Sequence, residues 1–156
     1  MDDLGKRQII LTGRGGTGKT IMLLQTAWRI CDGGGRVLIL TYNRALVADL
    51  RRLITLMRIP DDIIQRGIRI ETLHSFLYSV FSGLKIIHKD DDYLKAFRTC
   101  KQDLLSSYSV GSLRPQDIQN LKGSAPYDLK WDYVFVDEAQ DCPDDERDIL
   151  RLIYPI

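Results

Sequence analysis

Short apolar runs alternate along the chain with stretches of helical spacing. The runs lie at residues 8–12, 36–41, 67–71 and 133–136, and each predicts a buried strand. Apolar residues at helical spacing follow every run, over 18–31, 44–58, 73–81 and beyond Pro143, and the wide apolar face of 18–31 predicts a helix buried on most sides. Strands that alternate with helices in this order predict an α/β fold, with a parallel sheet and helices on both faces.

Residues 84–130 interrupt this alternation. They are more polar and mostly helical in pattern, with Phe97, Cys100, Leu104 and Tyr108 on one apolar face. The whole chain has 156 residues, a length that allows one domain with one core. We therefore interpret 84–130 as a mostly helical insertion within a single domain that spans 1–156.

Composition is that of an ordinary globular protein, with 44% apolar and 28% charged residues. No apolar run approaches the roughly 18 residues of a membrane span, and the acidic N-terminus is unlike a signal peptide, so we expect a cytoplasmic protein without a membrane partner. The three cysteines lack zinc-ligand spacing and are expected to be reduced, mostly buried thiols.

Charge is unevenly distributed, although the net charge is only +1. Residues 1–71 carry 12 basic and 7 acidic side chains, whereas residues 72–156 carry 10 and 14. A nucleic-acid site in the first half is compatible with this distribution but does not follow from it.

A glycine-rich loop follows the first predicted strand. Residues 13–20 read Gly-Arg-Gly-Gly-Thr-Gly-Lys-Thr and fit the Walker A pattern. Glycines let successive backbone N–H groups turn toward one anion, and the next helix adds the positive end of its dipole. Lys19 is expected to reach the β- and γ-phosphates, and the Thr20 hydroxyl to bind Mg²⁺. The predicted nucleotide-binding residues are Gly13, Arg14, Gly15, Gly16, Thr17, Gly18, Lys19 and Thr20.

Two carboxylates follow the last predicted strand. Asp137 and Glu138 come directly after 133–136, at the end of the strand where parallel sheets bind ligands. We expect Asp137 to hold Mg²⁺, often through water, and Glu138 to orient and deprotonate the attacking water. Acidic residues after a strand otherwise face solvent, so this assignment depends on the presence of the phosphate loop.

Four motifs together resemble the UvrD/Rep-like superfamily 1 helicases, RecA-fold motors that use ATP hydrolysis to move along single-stranded nucleic acid. Residues 13–20 match motif I, and residues 137–141, Asp-Glu-Ala-Gln-Asp, match motif II. Residues 40–46 are similar to motif Ia, and residues 71–76, with a Thr-x-His-Ser core, to the next motif. The resemblance implies a RecA-like P-loop NTPase with ATP and Mg²⁺ as cofactors and single-stranded DNA or RNA as partner.

The resemblance also implies roles for individual residues. Gln140 would act beside the γ-phosphate and link it to the nucleic acid. The track for the single strand would be lined by Thr41, Tyr42, Asn43, Arg44, His74 and Ser75. Arg44 and Asn43 can hold phosphates, and Tyr42 can stack on a base. Structural roles fit some of them equally well: Asn43 can cap the next helix, and His74 can be a satisfied polar residue inside the domain.

Departures from the family concern both ends of the chain. Gln8 is too close to Gly13 to be the adenine-reading glutamine that the family places upstream of motif I. After Ile156 the family continues with motif III and a second RecA-like domain that supplies arginine fingers. We therefore expect a fold incomplete at its C-terminus, with a gap or apolar seam in the sheet, and an isolated chain that hydrolyses ATP slowly.

Two other function classes stay open beside the ATP-dependent helicase. A P-loop NTPase that acts as a nucleotide-gated switch would explain the phosphate loop and the acidic pair, but not the other two motifs. A nucleotide-binding module without turnover would fit a chain that lacks arginine fingers.

Overall fold

A computed structural model describes residues 16–84, 93–114, 116–118 and 129–155. The strand predicted over 8–12 lies outside the described residues, and so do Gly13, Arg14 and Gly15 of the phosphate loop and much of the predicted insertion. The described residues divide into two compact units. The first comprises 16–73 and 131–139, and the second comprises the described parts of 74–130 and 140–155.

The first unit is a three-stranded parallel sheet flanked by helices. Its elements are helix α1 (Lys19–Asp32), strand β1 (Val37–Thr41), helix α2 (Arg44–Leu56), helix α3 (Asp61–Gly67), strand β2 (Ile68–Thr72) and strand β3 (Tyr133–Val136). The strand order is β2-β1-β3, with Val37 in register with Ile68 and with Tyr133. The predicted α/β class and parallel sheet are confirmed.

One face of the sheet carries a buried apolar cluster of the first unit. Val37 and Ile39 of β1 lie on this face together, because alternate residues of a strand point to the same side, and both are fully buried. The rest of this buried cluster consists of Leu24, Ala27, Leu50, Ile54, Ile59 and Ile70, with Tyr133 and Phe135 packed against it. The helices thus hold the three strands so that their carboxyl ends form one edge.

Helix α1 is less buried than its sequence predicts. Leu24 and Ala27 have no exposed surface, but Met22 is 53% exposed, so the prediction of burial on most sides is wrong. The apolar face that packs against the core is narrow, and the remaining apolar side chains lie at its margins.

Helix α3 was not predicted from the apolar pattern. Pro60 precedes it, and Asp61 and Asp62 occupy its first turn, where negative charge is favourable. The helix runs into β2 without a loop. A Cβ on Gly67 would lie 2.8 Å from Cys31 Sγ, so only glycine fits at this joint between α1 and α3.

The second unit is helical. It contains helix α4 (Leu73–Gly83), helix α5 (Tyr93–Ser109) and helix α6 (Asp144–Ile153), and a 3₁₀ turn at Ala139–Asp141 follows β3. The rings of Phe81 and Phe97 join α4 to α5 with centroids 5.4 Å apart. The apolar face of α5 is narrower than predicted, since Tyr108 is 42% exposed, whereas Phe97, Cys100 and Leu104 are buried.

All three cysteines are free thiols, as expected. Cys100 and Cys142 are buried, and Cys31 is partly buried. Burial raises the pKa of Cys31 and of Cys142. Within the described ranges, none of the helices has the length and apolar character that a membrane crossing needs.

Candidate functional site

Two predicted site residues, 117 positions apart in sequence, meet at the carboxyl end of the sheet. Thr20, in the first turn of α1, donates a hydrogen bond from Oγ1 to the Asp137 carboxylate, at 3.2 Å from Oδ2 and 3.4 Å from Oδ1. The Asp137 N–H donates to the Leu40 carbonyl at 2.9 Å, which extends the pairing of β3 with β1 by one residue. The sheet therefore fixes the carboxylate, and α1 brings the hydroxyl to it.

The described end of the phosphate loop has the backbone geometry that glycine favours. Gly16 and Gly18 have φ of 77° and 80°, in the left-handed region that side chains other than glycine rarely adopt. Gly18 is the N-cap of α1 and supplies no side-chain acceptor to the first-turn N–H groups, an arrangement typical of helix ends that bind anions. Lys19, at the first helical position, is partly buried.

Glu138 has an uncommon backbone conformation. Its φ is 53°, which non-glycine residues adopt infrequently and which costs about 1–3 kcal/mol when the surrounding structure imposes it. The residue is half-buried and directly follows Asp137. Strained backbone of this kind clusters at functional sites, so the conformation supports a role for Glu138 beside the Thr20–Asp137 pair.

Thr41 is the polar residue at the end of β1. It has no exposed surface, and within the described parts of the chain its hydroxyl oxygen is buried without a hydrogen-bond partner. A side chain without exposed surface does not offer a contact to a single strand, which weakens its predicted place in the nucleic-acid track.

The next three predicted track residues belong to the first unit and are exposed. Tyr42 is 48% exposed, and Arg44 begins α2 on the surface. Asn43 caps α2, because its Oδ1 accepts a hydrogen bond from the Leu46 N–H at 2.9 Å. Tyr42 and Arg44 thus remain open to a ligand, while Asn43 already has a structural role.

His74, Ser75 and Gln140 belong to the second unit. The His74 ring lies 4.1 Å from the Phe97 ring, and burial lowers the pKa of His74, which favours a neutral imidazole near pH 7. Ser75 and Gln140 are exposed, and the Ser75 carbonyl accepts a hydrogen bond from Ser79. Thr20 and Asp137 belong to the first unit, and the hydrogen bond between them does not involve these three residues.

A second acidic pair forms an ionic cluster around a largely buried lysine in the second unit. Lys101 Nζ lies 2.8 Å from Asp145 Oδ2 and 2.9 Å from Glu146 Oε1. Burial alone would lower the pKa of Lys101, but its hydrogen bonds to Asp145 and Glu146 raise it. The cluster was not predicted from the sequence, because Lys101 and Glu146 are 45 positions apart and meet only when α5 and α6 pack.

The oxygen groups at the sheet edge fit Mg²⁺ bound together with a nucleotide. Mg²⁺ is typically held by one or two carboxylates plus substrate phosphates, and it keeps several waters. Thr20 and Asp137 offer such a set. No group of three or more His, Cys, Asp or Glu side chains suited to a metal ion occurs in the part of the chain that the structure describes, so an all-protein metal cage is not found there.

A cleft of about 210 Å³ lies elsewhere in the first unit. Cys31, Asp32, Asp62 and Arg66 line it, and none of the predicted site residues that the structure describes is among its lining residues. It is smaller than the usual 300–1,000 Å³ of a ligand pocket, so the sheet edge is the stronger candidate.

Compared with known protein families, curated proteins and solved structures, the chain matches none of them. The functional assignment therefore depends on the motifs and on the geometry of the described residues.

Proposed function

We propose that this chain is the ATP-binding part of a UvrD/Rep-like superfamily 1 helicase or translocase motor, which couples Mg-ATP hydrolysis to movement on single-stranded nucleic acid. The observation that carries the proposal is the 3.2 Å contact between the Thr20 hydroxyl and the Asp137 carboxylate. This contact joins the end of the phosphate loop to the acidic pair at the edge of the sheet where α/β proteins bind ligands. A RecA-like P-loop fold is part of the same proposal.

Each residue at this edge has a chemical role in the proposal. Lys19 and the backbone N–H groups of the loop bind the phosphates, and Thr20 with Asp137 holds Mg²⁺. The ion supplies positive charge that offsets the charge developing on the transferred phosphoryl group. Glu138 orients the attacking water and accepts its proton. Gln140 responds to the γ-phosphate and relays that state toward the nucleic acid.

A nucleotide-gated switch without a nucleic-acid track is the second candidate. Two observations favour it: Thr41 is buried, and the side chain of Asn43 already caps α2, so two residues of the motif Ia stretch have structural roles. The exposed residues Tyr42 and Arg44 favour the helicase proposal instead, because a ring and a guanidinium two positions apart on the surface suit a base and a phosphate.

Calorimetric titration with Mg-ATP tests the nucleotide site. Lys19→Ala removes a charge-assisted contact worth about 1.5–3 kcal/mol, so affinity should fall about 10- to 150-fold. Arg29→Ala removes the same charge from an exposed position of the same helix and should leave affinity unchanged. Equal affinities for the wild type and Lys19→Ala would contradict the phosphate-binding assignment.

Binding of a fluorescent single-stranded oligonucleotide separates the two candidates. Arg44→Ala should weaken binding more than Arg52→Ala, which removes the same charge from an exposed position of the same helix. Equal losses, or no binding by the wild type in the presence of Mg-ATP, would favour the nucleotide-gated switch.

A further inference from the structure

We infer that Thr41 belongs to the nucleotide site, where its hydroxyl hydrogen-bonds a water molecule of the Mg²⁺ bound with the nucleotide. This inference rests on the proposed nucleotide-binding function and is independent of the helicase proposal. It replaces the predicted contact of Thr41 with nucleic acid by a role as a positioning residue for the metal ion.

The register of the sheet places Thr41 beside Asp137. Leu40 pairs with Val136, and the Asp137 N–H bonds to the Leu40 carbonyl, so Thr41 and Asp137 are the next neighbours across β1 and β3. Neighbouring residues of parallel strands point to the same face of the sheet. That face is the one on which Val37, Ile39 and Phe135 pack against the helices, including α1. Thr41, Asp137 and Thr20 therefore share one side of the sheet edge.

The Thr41 hydroxyl lacks a hydrogen-bond partner among the described residues, although its side chain has no exposed surface. Valine has nearly the same shape, suits a central strand, and would avoid the cost of burying a hydroxyl alone. The other β1 side chains on this face, Val37 and Ile39, are apolar. A partner that arrives with the ligand accounts for a hydroxyl at this one position.

A water molecule that arrives with the metal ion is the smallest partner that suits this hydroxyl, and the end of β1 has to shift for it to enter, because the oxygen has no exposed surface. Adjacent strands lie about 4.8 Å apart, and no direct hydrogen bond links Thr41 to Asp137 in the described structure. Mg²⁺ gives up its water reluctantly and usually keeps several of its hydration molecules in nucleotide sites. Thr41 would thus act on the ion through water from β1, while Thr20 and Asp137 act from α1 and β3. Groups that support metal ligands in this way typically change metal affinity 10- to 100-fold.

The test measures how ATP affinity depends on Mg²⁺, using the full chain and the variants Thr41→Val, Thr41→Ser and Thr72→Val. Thr72 is the register partner of Thr41 on the far side of β1, two strands from the Asp137 position. Thr41→Val should need on the order of 10-fold more Mg²⁺ for half-maximal tightening of ATP binding. Thr41→Ser keeps the hydroxyl and should stay within about 3-fold of the wild type, as should Thr72→Val.

Thermal unfolding without ligand shows whether a weaker response of Thr41→Val to Mg²⁺ is caused by a destabilised fold. The midpoint of Thr41→Val should be equal to or higher than that of the wild type, because the buried hydroxyl has been removed. A wild type that binds Mg-ATP together with a Thr41→Val variant of unchanged Mg²⁺ dependence would overturn this inference and leave the nucleotide site standing. A wild type that does not bind Mg-ATP would overturn the proposed function as well. If Thr41→Val does not fold, the same comparison is made between Thr41→Ser and Thr41→Ala.

Discussion

Two Asp-Glu pairs lie within ten residues of each other, and their aspartates have different neighbours among the described residues. Asp145 and Glu146 share Lys101 at 2.8 and 2.9 Å, so the protein itself offsets part of the charge of that pair. Asp137 instead accepts a hydrogen bond from the neutral hydroxyl of Thr20. Among the described residues Asp137 forms no ion pair, so it is better suited to an incoming cation than a carboxylate that is bound to a lysine. The pairs read alike in the sequence, and their neighbours decide which one is available for chemistry.

The largest expected effect separates the two pairs by activity. Glu138→Gln should reduce single-turnover hydrolysis of Mg-ATP by about 10²- to 10⁴-fold, because an amide cannot accept the proton of the attacking water. Nucleotide affinity should stay within a few-fold of the wild type. Rapid-quench measurements with excess protein give the rate even when turnover is slow.

The matching change in the other pair is the control. Glu146→Gln should leave the rate per folded molecule unchanged, because Glu146 bonds to Lys101 in the second unit. Equal losses of rate in the two variants would show that the pairs do not differ in function.

The free energy of unfolding should depend on the second pair, Asp145 and Glu146, on which the hydrolysis rate does not depend. Lys101→Met leaves Asp145 and Glu146 without their cation and should lower the free energy of unfolding by about 2–4 kcal/mol; the partly exposed Asp145 keeps the loss below that of a fully buried pair. Urea unfolding measures the change. Lys95→Met, at an exposed position of the same helix, should change stability by less than about 0.5 kcal/mol.

A smaller effect is expected where a motif residue is already bonded within the protein. Asn43→Ala removes the cap of α2 and should cost about 1 kcal/mol of unfolding free energy, whereas Asn43→Asp, which keeps a capping oxygen, should cost a few tenths at most. If both variants keep their stability but lose affinity for single strands, Asn43 is a ligand contact rather than a cap.

The smallest effect concerns pH. Burial lowers the pKa of His74 below its ordinary 6.5, the nearby Glu146 opposes this shift, and Lys101 reinforces it. The unfolded chain therefore takes up the proton first as pH falls. The stabilising contribution is complete above about pH 6.5 and is lost as pH falls through the lower folded-state pKa. Thermal unfolding between about pH 7.5 and 5.5 should show a smaller fall in midpoint for His74→Gln than for the wild type. Parallel curves would show that His74 does not contribute.

The elements with strong local signals were predictable from the sequence. Strand β3 and the first residue of α2 lie where the apolar pattern placed them, because a short apolar run between polar segments and a capping asparagine leave few alternatives. Helix α3 was missed although Pro60, Asp61 and Asp62 form the same kind of start signal as Pro143 before α6. Seven residues give too little periodicity for a helix to be recognised from its apolar spacing.

The candidate site was predictable in its residue types but not in its contacts. The sequence motifs select Thr20 and Asp137, and the arrangement of parallel strands implies that they meet. The 3.2 Å contact between them, and the lack of a hydrogen-bond partner for the Thr41 hydroxyl among the described residues, depend on the register of the strands. The ion pairs of Lys101 could not be predicted from the sequence either. Residues 45 positions apart become partners only when helices pack, and charge pattern alone does not report packing.

The three cysteine thiols are divided between the two units and can be labelled in each of them. Cys31 sits at the joint of α1 and α3 in the first unit, whereas Cys100 and Cys142 are buried in the second. Since a thiol reacts as its thiolate, and burial shields Cys100 and Cys142 and raises the pKa of Cys142, modification of these two must wait for local opening. Their labelling by a thiol reagent would therefore report opening of the second unit, while the partly buried Cys31 serves as an internal reference, with no probe added to the chain.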